Sequence, residues 1–82
     1  MDENEEALQR AFRIGLALPQ DVAVEQLVYN EIVEWDSIGH MQLVAEIEDA
    51  FDIMLDTDDI IDISSYQKTK QILKKYDVDF GA

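Results

Sequence analysis

The sequence of 82 residues predicts an all-α fold, a small four-helix bundle of three main helices plus one short helix, with a long first loop. Apolar residues recur at helical spacing in separate stretches, and residues able to cap a helix stand ahead of the later ones. No pair of segments makes a convincing strand pairing, so the elements add up to helices packed on helices.

The first helix follows from Leu8, Ala11, Phe12, Gly15 and Leu16, which fall at i, i+3, i+4, i+7 and i+8 on one helical face. It is expected from about residue 3 to residue 17, with Pro19 ending it. Residues 19–36 show no sustained period. Val22, Val24, Leu27, Ile32, Val33 and Trp35 are nevertheless too apolar for a solvated linker. The spacing predicts a loop lying across the bundle and packed by its own side chains, with one helical turn around Val24 to Val28.

A second helix is predicted from Ser37 to about Phe51, with Asp36 or Ser37 as N-cap. Leu43, Val44, Ile47, Ala50 and Phe51 supply most of its buried face. Asp56, Thr57, Asp58 and Asp59 form a further capping cluster ahead of a short helix that contains Ile60, Ile61 and Ile63. Their β-branching makes that helix marginal. Ser64 or Ser65 caps the last helix, where Tyr66, Thr69, Ile72, Leu73 and Tyr76 recur at helical spacing. Lys68, Lys70, Lys74 and Lys75 occupy its other faces and favour its C-terminal end. Asp77 to Ala82 is expected to be a frayed tail.

Length bounds this as one domain over residues 1–82, near the lower limit for a core without cross-links. There is no cysteine, which excludes disulfides and thiolate metal sites. No apolar run approaches the roughly 20 residues that span a bilayer, and the first six residues are acidic where a signal peptide would be basic. A soluble cytoplasmic protein is expected.

The net charge is −13. All six bases, Arg10, Arg13, Lys68, Lys70, Lys74 and Lys75, lie near the ends. Between Ile14 and Gln67 there is no Lys or Arg but thirteen acids, while the flanks carry six acids against six bases. The central segment therefore holds the whole net charge. Such a field repels nucleic acid and anionic lipid and attracts basic protein surfaces.

The stretch Glu34-Trp35-Asp36-Ser37-Ile38-Gly39-His40-Met41-Gln42-Leu43-Val44-Ala45-Glu46-Ile47-Glu48-Asp49-Ala50-Phe51-Asp52 carries the chemistry. A serine that a large enzyme must esterify has to protrude, and the first turn of a helix after a long loop presents it on a fixed backbone. Free N–H groups and the helix dipole there favour an incoming phosphate. Plain capping explains one of Asp36 and Ser37. It does not explain both, because neither Gly39 nor His40 completes a capping box.

An Asp-Ser-Leu/Ile triplet that opens an acidic amphipathic helix ending in acids and Phe resembles the signature of acyl and peptidyl carrier proteins. The likeness in order and spacing covers about residues 5 to 76. It implies that a separate phosphopantetheinyl transferase moves 4'-phosphopantetheine from coenzyme A onto Ser37, and that the arm's thiol then holds an acyl or aminoacyl group as a thioester. It implies a carrier and not a catalyst, with no metal. Partners would be the transferase and acyl-loading and acyl-using enzymes with basic docking surfaces, met by a monomer. On the matching positions, Asp36 meets the transferase, and Ile38, Met41 and Ala45 form an exposed apolar stripe flanked by Gln42, Glu46, Glu48 and Asp49. Asp56, Asp58 and Asp59 widen the surface.

Trp35, Gly39, Gln42 and Ala45 depart from the fatty-acid-synthesis pattern. The Trp-Asp-Ser-Ile-Gly-His run is more similar to carriers of specialised pathways, such as polyketide, nonribosomal peptide or surface-glycan modification systems.

Other classes fit less well. Asp36, Ser37 and His40 are the residue types of a hydrolase triad, but crowded into one turn they lack its relay geometry, and His40 is expected as a solvated first-turn residue. The Asp56 to Asp62 run suggests a calcium loop, yet Ile61 stands at the required glycine and Gln67 at the bidentate glutamate. The runner-up is an unmodified acidic interaction module of the same fold that binds basic proteins through the second helix.

Overall fold

In the computed structural model, which describes residues 3–80, the chain forms α1 (Glu3–Gly15), a single 3-10 turn (Val24–Gln26), α2 (Ser37–Phe51), α3 (Thr57–Asp62) and α4 (Tyr66–Lys74). This is the small all-α bundle expected. The two-stranded element that comes nearest to a sheet is one isolated bridge, Val28 to Ser65.

Helix α1 obeys its own dipole, with Glu3, Glu5 and Glu6 in the first turn and Arg13 in the last. It buries Leu8, Ala11, Phe12 and Gly15. It stops at Gly15, ahead of the expected end near residue 17, and Pro19 is not what stops it. Ala17 turns left-handed (φ 53), so that the Leu18 N–H donates back to the Arg13 carbonyl at 2.8 Å and the Ala17 N–H to Ile14 at 3.2 Å. This is a Schellman ending. Helices α2 and α4 end the same way, with Asp52 (φ 52) and Asp77 (φ 65) left-handed. There Ile53 donates to Glu48 and Val78 to Leu73.

None of these three left-handed residues is glycine; Gly15 and Gly39 serve close packing instead. A Cβ on Gly15 would lie 2.7 Å from the Leu43 Cα, so the bare backbone lets α1 and α2 approach within the range of tight helix packing.

The loop between α1 and α2 lies across the bundle as expected. Val24, Leu27 and Trp35 are buried, and Leu18, Val22 and Ile32 pack against the core. Its backbone groups find partners on α4's approach: Tyr29 N–H donates to Ser64 at 2.8 Å and Tyr66 N–H to Leu27 at 3.0 Å. Val33 is the exception, 89 % exposed where the sequence reading expected it packed.

An aromatic cluster fills the centre. Phe12 meets Trp35 edge-on at 5.4 Å and Tyr66 at 5.0 Å, and Tyr29 meets Trp35 edge-on at 5.9 Å. Two further expectations need correction. Ala50 is exposed, because α2's apolar stripe faces α1 through Leu43, Val44 and Ile47, while Phe51 is only half-buried. The segment after α4 is not frayed as far as residue 80. Val78 and Phe80 are buried, Phe80 meets Phe51 edge-on at 6.2 Å, and Asn4 donates to the Asp79 carbonyl at 2.7 Å. The rest of the expected tail, Gly81 and Ala82, lies outside the described residues.

Helices α3 and α4 are fixed by charge as well as packing. Asp59 is 6 % exposed, and its carboxylate accepts from Lys75 Nζ at 2.5 Å and the Tyr76 hydroxyl at 2.6 Å. Those hydrogen bonds, from Lys75 first, hold its carboxyl below the usual range. Asp59 is therefore a bolt between α3 and the end of α4, not a cap or a docking charge. Across the bundle, Glu5 accepts from Lys70 Nζ at 2.7 Å and from the Tyr66 hydroxyl. Burial works against its charge, but Lys70 and Tyr66 outweigh it and keep the carboxyl below the usual range. Burial first, and then Glu5, pushes the Tyr66 hydroxyl up, so Tyr66 stays a donor.

Candidate functional site

Ser37 is the first residue of α2. The choice of cap left open by the sequence falls to Asp36, which is extended (φ −104, ψ −168) and accepts the Gly39 N–H at 2.9 Å. The exposed Ser37 hydroxyl is thereby left without a capping task. The Ser37 and Ile38 N–H groups have no backbone partner among the described residues. They are orphan donors of the kind that receive anions at a helix start.

Anchors on either side hold this turn. Trp35 is fully buried, and the Glu34 carbonyl sits where a Cβ of residue 39 would be, 2.1 Å from that position. Gly39, which costs helix propensity, is thus what lets the incoming loop cross over the first turn of α2. The aligned pair Trp35 and Gly39 bracket Ser37 with buried contacts while Asp36, Ser37 and Ile38 are exposed.

His40 is not the solvated residue expected. It is half-buried, with Nδ1 accepting from Trp35 Nε1 at 3.0 Å and Nε2 at 2.8 Å from the Ile60 carbonyl. A carbonyl only accepts, so Nε2 carries the proton and donates to it, and Nδ1 is the bare acceptor. The ring stacks on Trp35 at 15° and 6.3 Å between centroids and meets Tyr29 edge-on at 5.4 Å. Both nitrogens are engaged by groups other than Ser37, so the triad arrangement does not form.

Ile38 is 70 % and Met41 56 % exposed, and Gln42 and Ala45 are exposed with them. The apolar stripe faces outward, and Val33, four residues ahead of Ser37 in the loop, is a further exposed apolar side chain. That residue was missed because its neighbours in the loop are core. Of the acids, Asp36 and Asp49 are exposed and Glu46 is half-buried. Glu48 turns back on its own chain and accepts the Leu55 N–H at 2.9 Å, which makes it a brace for the α2–α3 link.

The acids of α2 are set against the helix that bears them. There is none in the first turn and no base in the last, whereas Glu46, Glu48 and Asp49 lie in the C-terminal turns. Negative charge there opposes the macrodipole by about 0.3–1 kcal/mol per group. Solubility would be served as well by acids at the other end.

A cleft of about 240 Å³ lies where the crossing loop, α2 and the end of α3 meet, lined by Tyr29, His40, Ile61, Ile63 and Ser64. Its lining comes from three segments, which is why the sequence did not reveal it. Ile61 is 72 % exposed. Among the described residues, no group of His, Asp or Glu is placed to hold a metal ion, and no helix is long and apolar enough to cross a membrane.

No known protein family, curated protein or solved structure matches the chain.

Proposed function

We propose that this chain carries acyl or aminoacyl groups as thioesters on a 4'-phosphopantetheine arm attached to Ser37, and passes them among biosynthetic enzymes. One observation carries the reading: the Ser37 hydroxyl stands exposed and uncommitted at a helix start, because its neighbour Asp36 does the capping.

The residues present fit such a group. Ser37 Oγ would supply the attachment oxygen, and the unpartnered N–H groups of Ser37 and Ile38 at the helix start are donors of the kind that favour a nearby phosphate. When bound, the arm supplies a thiol whose thioester keeps the acyl carbonyl reactive. The chain's own part is to hold the attachment point still, through Trp35 and Gly39, and to offer a docking surface. Tethering then raises the cargo's effective concentration at each docked enzyme.

That surface is apolar beside the serine, through Ile38 and Met41, and acidic beyond it. A partner with a basic rim and an apolar centre suits it: charge steers the encounter and apolar contact holds it. Asp36, exposed and next to Ser37 in the chain, would be a contact for a basic transferase. In this reading the chain itself catalyses nothing, and it works as a cytoplasmic monomer in a specialised pathway.

Intact mass after incubation with coenzyme A and a broad-specificity phosphopantetheinyl transferase tests the proposal. The expected result is a gain of one phosphopantetheine that Ser37→Ala abolishes. No gain with several transferases refutes it and leaves the unmodified interaction module.

A further inference from the structure

We infer that His40 is a proton-operated latch on the loop that leads into Ser37: neutral, it holds Trp35, and on taking a second ring proton it lets Trp35 go while keeping its hold on α3. The chain has one histidine and one tryptophan, and the two are bonded to each other, Trp35 Nε1 donating to His40 Nδ1 at 3.0 Å. The other ring nitrogen, Nε2, lies 2.8 Å from the Ile60 carbonyl. A carbonyl can only accept, and an indole N–H can only donate. Both contacts are therefore met by one state of the ring, the neutral form with its proton on Nε2.

A second proton must go to Nδ1, where it faces the indole N–H. Two donors cannot share a hydrogen bond, and turning the ring over does not help, since both nitrogens of the cation carry protons. The two contacts respond in opposite senses. The Ile60 carbonyl keeps its donor, which now sits on a charged ring and makes the stronger bond. The indole N–H loses its acceptor, and Trp35 is fully buried, where a donor without a partner bears its whole desolvation cost. Relief comes from movement of the indole away from the ring.

Such a movement tells on the residues that follow. The Trp35 backbone closes the end of the loop, its N–H donating to the Ile32 carbonyl at 3.2 Å and its carbonyl accepting from Asn30 at 3.1 Å. The next two residues are the cap Asp36 and Ser37, so proton uptake at His40 reaches the first turn of α2 through one side chain. The ionisable groups on the elements around the ring are otherwise engaged or exposed. On the loop, Tyr29 meets the ring edge-on at 5.4 Å, while Glu31 and Glu34 are exposed. On α2, Asp36 is turned to the Gly39 N–H. On α3, Asp59 is bonded to Lys75 and Tyr76, and Asp58 and Asp62 are exposed. The ring's two hydrogen bonds run to Trp35 and Ile60, not to any of these groups. Histidine is the side chain whose charge ordinarily changes between about pH 5 and pH 8, which puts the latch in the physiological range.

Proton and nitrogen NMR of the isotope-labelled full chain between about pH 8 and about pH 5 tests this, because the lone indole and the lone imidazole give signals that need no sorting. As the ring nitrogens of His40 report the second proton, the Trp35 indole N–H is expected to shift and to exchange with water about tenfold faster. The backbone amides of Trp35 and Ser37 are expected to move with the same midpoint, while circular dichroism shows the helices intact. In His40→Gln, whose amide offers an acceptor and a donor but takes no proton in this range, the indole and both amides are expected to stay fixed. In Trp35→Phe, which removes the indole N–H, the Ser37 amide is expected no longer to follow the His40 titration. An indole signal that stays still while His40 is protonated overturns the inference, as does one that moves as much in His40→Gln as in wild type. So does a ring that takes no second proton down to about pH 5, or loss of the helices before it does.

Discussion

Replacing Gly39 by alanine is expected to destabilise the protein and slow modification of Ser37, although alanine is the better helix former. In α2 the exchange gains about 1 kcal/mol of helix propensity. Against this, the new Cβ would stand 2.1 Å from the Glu34 carbonyl oxygen and 3.2 Å from Leu16 Cδ2. The leucine methyl can shift by tenths of an ångström, but the carbonyl belongs to backbone and must retreat by about 1 Å to reach ordinary contact. It leads directly into Trp35, whose ring is locked among Phe12, Tyr29 and His40. Overpacking against a constrained backbone costs about 1–3 kcal/mol, and with Trp35 resisting, the upper half of that range applies. The net loss is about 1–2 kcal/mol, or a Tm lowered by roughly 5–15 °C for a domain of this size. Thermal and urea unfolding followed by circular dichroism measure it. Gln42→Ala, at an exposed position of the same helix, serves as the propensity control. A Gly39→Ala protein as stable as wild type, or more so, would refute the argument that the loop is braced on this glycine.

Ala17→Gly should raise stability by about 0.5–1 kcal/mol, seen as a higher urea midpoint, because a left-handed residue with a Cβ is strained and glycine is not. Glu5 and Asp59 have folded-state pKa values below their ordinary ones, so their contributions are whole above about pH 4–5 and fade as pH falls through the folded values. Glu5→Gln and Asp59→Asn should each be less stable than wild type at neutral pH and lose less on acidification. Protonation of the remaining crowded acids relieves repulsion in all three proteins and cancels from that comparison. Binding to a phosphopantetheinyl transferase should weaken steeply between low and physiological salt, and Asp36→Asn and Asp49→Asn should flatten that dependence, chiefly through the association rate. An unchanged salt slope in both variants counts against electrostatic docking.

The helices were legible because their signals are local. The apolar spacing of Leu8 to Leu16 and the capping serine ahead of Tyr66 each need only a few residues of context, and Ser65 does cap α4, accepting the Lys68 N–H at 3.0 Å. The helix ends were less so, since left-handed alanine and aspartate stand where glycine would announce them. At the site, the place of Ser37 at a helix start was legible from the loop-to-helix junction, whereas the outward stripe of Ile38, Met41 and Ala45 was expected only from the resemblance, since helical spacing alone would equally have placed Ile38 and Met41 in the core. What escaped was pairing over long separations. His40 meets Ile60, Asp59 meets Lys75, and Glu48 meets Leu55, and no spacing rule links those partners. Each was read as a surface charge or a solvated ring because that is the ordinary fate of its residue type.

Those three contacts have one element in common. Helix α3 is six residues long and its N-cap side chain makes no hydrogen bond, so it is too short to hold itself. It is fixed from outside, by Glu48 at the link that leads into it, by His40 at Ile60, and by Lys75 and Tyr76 at Asp59. Two of those ties run to α2, the helix that presents Ser37, and one of them passes through Trp35, two residues before the serine. The side chains that position α3 and those that steady Ser37 are therefore partly the same.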